Sequence, residues 1–176
     1  MITRVAMPLV IVLLAACGGG SGSTSDQRLL AAIGTAQARM HEADELEARG
    51  DREAAIARAR DVLDVPFPHG APEREDVRLD AWGRIGELEL GRGDDAAAER
   101  AVTEGLREVT RASYFGARLH VVRGRLHRER AARARASGDE GTARRESEAA
   151  IEALEQSIAI NAEVLGLESD QGGGER

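Results

Sequence analysis

The chain has 176 residues, with 31 acidic side chains against 24 basic ones, all of them arginine, for a formal net charge of −7. That balance favours solubility and argues against general nucleic-acid binding. Aromatic residues make up 2% of the chain against 42% hydrophobic overall, so a core must come from Ala, Leu, Ile and Val. Such a core suits closely packed helices better than a β-sandwich.

The chain opens with a charged start, Met1 to Arg4, an apolar run from Val5 to Leu14, and then Leu14-Ala15-Ala16-Cys17. This is the pattern of a secretory signal peptide. The run is too short to cross a bilayer, which takes about 20 residues. Gly18-Gly19-Gly20-Ser21-Gly22-Ser23-Thr24-Ser25 follows at once and has the composition of a flexible linker. Cys17 is the single cysteine, so no disulfide can form within the chain. In such a linker a catalytic thiol would lack a positioned base. The Leu-Ala-Ala-Cys ending resembles the bacterial lipobox. That resemblance implies loss of residues 1–16 as a signal peptide and acylation of Cys17. It also implies a mature chain held to a membrane by lipid. Gly18 after the cysteine, where inner-membrane lipoproteins carry aspartate, implies the periplasmic face of the outer membrane.

Beyond the linker, Ala-, Leu-, Glu- and Arg-rich segments with helical periodicity replace any strand-like alternation. They predict six helices over 26–49, 52–64, 73–91, 95–111, 114–136 and 140–165. The breaks are Gly50-Asp51, the Pro-rich stretch 65–72, Gly93-Asp94, the region of Ser113, and Gly138-Asp139. In each Gly-Asp pair glycine can take the left-handed conformation that ends one helix, and aspartate can cap the next. The expectation is an all-α domain over 26–166, preceded by the lipidated linker 17–25 and followed by a loose tail, 167–176.

The middle of the chain resembles a tetratricopeptide repeat. Trp82, Ile85 and Gly86 match the large, apolar and small positions of its first helix. Gly93 matches the turn, and Ala98, Val102 and Gly105 match the second helix. In the first unit Ala43, Leu46, Gly50, Ala55, Ala59 and Val62 fit, while Arg39 and Glu42 stand at normally apolar places. In the third, Leu119, Val122, Gly124 and Leu126 precede a repeat-like second helix over 150–161. Turn glycines recur at intervals of 43 and 45 residues, longer than the family's period of about 34. The resemblance implies three antiparallel helix hairpins in a right-handed superhelical array. An ordinary helical bundle with Gly-Asp turns is the competing architecture.

Signatures of chemistry are missing from the sequence. His41, His69, His120 and His127 make no metal-binding spacing, and no nucleophile or phosphate motif occurs. No active site, metal or cofactor is therefore assigned. Arg118, Arg123, Arg125, Arg128, Arg130, Arg133 and Arg135 crowd one segment, and Glu140, Glu146, Glu148, Glu152 and Glu155 follow it. The expectation is pairing between these two helices, each surface pair contributing under about 1 kcal/mol. The alternative is a basic stripe that meets an acidic partner. The concave face of the repeat family, carried onto this chain, falls at Gln37, Met40, Asp44, Glu47, Asp80, Glu87 and Leu90. That mainly acidic set implies a basic peptide or protein segment as ligand. The expected function is a lipid-anchored interaction module in an envelope-assembly complex. The alternative is a helical spacer or oligomerisation subunit without a groove.

Overall fold

The computed structural model describes residues 22–167, and within them every regular element is helical. The helices are α1 (Gly22–Ala48), α2 (Arg52–Asp61), α3 (Glu73–Arg92), α4 (Asp95–Glu108), α5 (Tyr114–Ala136) and α6 (Glu140–Val164). A 3₁₀ turn, Val62–Asp64, extends α2. The all-α expectation therefore holds. Cys17 and most of the expected tail lie outside the described residues. α1 begins at Gly22, inside the expected linker. Adding a residue to an existing helix costs far less than nucleating one, so Ser and Thr can be drawn into its first turn.

Three helix-to-helix turns repeat one stereochemistry. Gly50, Gly93 and Gly138 have φ of 86°, 84° and 80°, left-handed values that glycine takes without a Cβ penalty. Each donates to the carbonyl three residues back, and the following aspartate N–H reaches the carbonyl five back: Leu46, Glu89 or Ala134. The aspartate side chain then accepts from Ala54, Ala97 or Thr142, capping the next helix. Elsewhere the chain stops differently. Val65 is extended before Pro66, as a residue preceding proline must be. α4 ends at Glu108, three residues earlier than expected. Glu75 of α3 accepts from the Thr110 N–H at 3.0 Å and from its hydroxyl, while Asp76 holds Arg111 at 2.6 Å. Those bonds take the segment out of the helical ladder.

Each helix packs on its successor, most extensively α1 on α2, α3 on α4, and α5 on α6. α3 also touches α1 and α5, whereas α6 meets α5 alone among the described helices. The larger apolar side chains gather where one pair meets the next. Ala43, Ala55, Ile56 and Ala59 pack with Ile85, Leu88 and Ala101. Leu79, Leu90, Ala98 and Val102 pack with Leu119, Val122 and Leu126. Small residues permit that approach. A Cβ on Gly105 would stand 2.8 Å from Trp82 Cβ and 2.9 Å from the Leu119 methyls, and one on Gly86 only 3.1 Å from Val122. The α5–α6 seam, by contrast, buries little beyond alanine: Ala131, Ala134, Ala143, Ala150 and Ala153.

Candidate functional site: an apolar groove with a carboxylate rim

Residues spaced three, four or seven apart share one face of a helix. On α1 this brings Ile33, Gln37, Met40 and Asp44 into line. On α3 it aligns Glu73, Asp76, Val77 and Asp80. These faces and Phe115 of α5 enclose a groove of about 440 Å³. Its floor is apolar, from Ile33, Ala36, Met40, Val77 and Phe115, and its rim carries Asp44, Glu73, Asp76 and Asp80. Phe115 is fixed at the start of α5 by the Ser113 cap, whose Oγ accepts from Gly116 N–H at 3.1 Å, and by edge contact with Tyr114, ring centroids 5.8 Å apart.

The rim is electrostatically uneven. Burial raises the Asp80 carboxyl above its usual range, with Arg118 opposing and Glu87 and Asp44 adding to the rise. One oxygen each of Glu73 and Asp76 is buried with no hydrogen-bond donor in the protein. A buried acceptor left unpaired costs about 1–3 kcal/mol, so this wall favours a ligand that donates. The groove offers apolar contact plus acceptors, with the His41 imidazole also on its lining.

Of the seven positions expected on this face, Gln37, Met40, Asp44 and Asp80 line the groove. Glu47, Glu87 and Leu90 do not. Leu90 is 4% exposed and belongs to the core between α3, α4 and α5, because it faces α4 and α5, while Gly91 and Arg92 of the same turn are exposed. Glu47 and Asp44 instead hold Arg84 at 2.5 and 2.7 Å. Glu87 holds Arg118 at 2.8 Å, and Asp80 binds the same guanidinium. Two arginines thus neutralise much of the expected acidity. Glu73, Asp76, Val77 and Phe115 were not anticipated. The aromatic pair Tyr114-Phe115 was a signal in a chain so poor in rings, but nothing in its own helix shows that it reaches α1.

The arginine-rich helix also departs from expectation. Arg118 turns back to α3, Arg130 reaches Asp95 at 3.3 Å and Glu99 at 2.7 Å on α4, and Arg133 binds Asp95. Towards α6 the described contacts are His127 Nδ1 with Glu146 at 2.7 Å and Arg135 with Ser147 at 2.5 Å. The acids of the previous pair are closer than those of the following helix, so ion pairing fastens α5 backwards.

A second, polar pocket of about 230 Å³ lies between α4, α5 and α6, lined by Glu99, His120, Arg123, His127, Glu152 and Gln156 among others. Burial first, and Arg123 second, push the His120 imidazole below its ordinary value. Its Nδ1 has no partner in the protein. Among the described residues no group of three or more His, Cys, Asp or Glu side chains could hold a metal ion.

Comparison with known proteins adds no assignment. No family model, no curated protein and no solved structure matches the chain.

Proposed function

We propose that the protein is a lipid-anchored interaction module at the periplasmic face of the bacterial outer membrane. Three tetratricopeptide-like hairpins in a right-handed superhelical array would present its groove to a polypeptide segment. Two things support the array: the pattern of neighbours, in which α3 meets α1 and α5 as well as its own partner, and the recurrence of one turn geometry. The observation that carries the binding role is the groove between α1, α3 and α5, apolar at its floor and lined with carboxylates at its rim. Its complement is a segment that places an apolar side chain beside an arginine or lysine. The role is physical rather than chemical. Acyl chains on Cys17 confine the module near membrane-bound partners and raise its effective concentration there.

A photo-crosslinking residue at Met40 or Val77 tests the groove in the native envelope, with Ala38 on the outer face of α1 as control. Adducts of one mass should form from the groove positions and not from Ala38. Equal yields from all three would discard the reading. The anchor has its own test: Cys17→Ser should abolish labelling by a fatty-acid probe and move the protein to the soluble fraction.

A further inference from the structure

α6 packs on α5 alone, through Ala150, Ala153 and Ser157. The residue after each of these, Ile151, Leu154 and Ile158, forms a stripe along one edge of that seam, where Leu154 rests against Gly124 of α5, and these side chains are 57%, 40% and 67% exposed. Val121, on the outward face of α5, is 46% exposed. The interior of the molecule shows how such a face is normally used. Gly86 of α3 receives Val102 and the Ala98 carbonyl from its partner helix, and Val122 of the next helix closes over it, leaving Val102 1% exposed. Gly124 of α5 receives Leu154 and the Ala150 carbonyl in the same way. Leu154 stands where Val102 stands, without the third helix.

Eight of the nine large apolar side chains exposed among the described residues belong to α5, α6 or the residues just after α6. α1, at the opposite edge, exposes one large apolar side chain, Leu30, with Ala31, Thr35, Ala38, Glu42 and Glu45 among its other exposed residues. The residues from Glu168 to Arg176, outside the described ones, include no apolar side chain.

We infer that a second copy of this chain covers it, α5–α6 face against α5–α6 face. Stacking this face on the α1 edge of another copy would set the stripe against polar and small residues, and would propagate without closing. Like against like closes as a two-fold dimer. Charge then selects the orientation. Arg125, which also holds Glu129 at 3.1 Å, and Arg128 flank the stripe on the α5 side, and Glu155, one residue past Leu154, flanks it on the other. A two-fold axis running along the helices lays the basic flank of each copy over the acidic flank of its partner. An axis across the helices would oppose like charges. The acidic flank also disfavours an anionic lipid surface as the occupant.

Light scattering on the full-length protein tests this directly. The wild type should weigh twice its monomer mass, and Leu154→Glu/Ile158→Glu should weigh half that at unchanged helicity by circular dichroism. Arg125→Glu/Arg128→Glu should weaken self-association by about tenfold. Mixing it with Glu155→Arg should recover a mixed dimer. A wild type that stays monomeric at roughly 100 times a micromolar Kd, or a dimer that survives Leu154→Glu/Ile158→Glu, overturns the inference. So does flotation of the Cys17→Ser form on phosphatidylglycerol vesicles that is lost with the same double variant, which would assign the stripe to lipid.

Discussion

The junction of α3, α4 and α5 and the seam of α5 with α6 are both helix packings, yet they are made of different material. The first interlocks Leu79, Leu90, Val102, Leu119, Val122 and Leu126 around two glycines that let the backbones close. The second is a row of alanines, with Leu154 at its edge against Gly124 and Ile158 67% exposed. The contrast teaches that cohesion resides between successive helix pairs more than within the last one. The largest test of that contrast is Leu119→Ala. It removes a fully buried side chain from the first junction and should cost about 2–5 kcal/mol in urea unfolding. A loss below about 1 kcal/mol would erase the distinction.

Next comes a pair of identical changes. Gly105→Ala drives a methyl to within 3 Å of Trp82 and Leu119 and should destabilise by about 1–3 kcal/mol. At Gly124 the nearest obstacle is Leu154, which is free to swing outward. There the gain in helix propensity, about 1 kcal/mol, should offset the crowding and leave stability nearly unchanged. A milder effect is expected at the turn before α4. Asp94→Ala removes the bond to the Ala97 N–H and should cost about 1 kcal/mol. Faster amide exchange should appear first at the start of α4 rather than throughout. Across the wild-type molecule, α6 amides should exchange through smaller openings than those of α3, in native-state hydrogen exchange at a concentration where the protein is monomeric.

The smallest effect is one of pH. Glu108 accepts from Arg78 at 2.5 and 2.6 Å and from Trp82 Nε1 at 2.9 Å. The Arg78 bond comes first, with burial opposing and Trp82 assisting, and it holds the carboxyl below its usual 4.5. The unfolded chain therefore takes up this proton first as acid is added. The stabilisation is complete above about pH 4.5 and fades as pH falls through the lower folded value. Emission from Trp82, the single tryptophan, should be flat from neutral pH to about 5 and change below 4.5, and Glu108→Gln should remove that transition.

Much of this fold could be read from the sequence because its punctuation is local. A Gly-Asp pair carries both the left-handed cap and the next N-cap within two residues, so three turns and most helix ends were predictable. The early end of α4 was not, because Glu75 acts from 35 residues away. The groove was half legible. The concave face of the repeat family, carried onto this chain, put Gln37, Met40 and Asp44 together, with Asp80 on the neighbouring helix. The arginines that occupy Glu47 and Glu87 arrive from other helices, 37 and 31 residues away, and a single-helix pattern cannot announce them. Leu90 failed for a related reason: its burial depends on α4 and α5, not on its own helix.

The arginine clamps have a consequence for how the chain sorts itself while folding. Arg84 finds its acids at positions 44 and 47, one turn apart; Arg118 finds its own at 80 and 87, two turns apart. A chain of look-alike segments risks docking a segment on the wrong predecessor. Should α5 settle against α1, Arg118 would face acids one turn apart in place of the pair two turns apart that it holds on α3. The two spacings thus act as addresses, favouring assembly in one order.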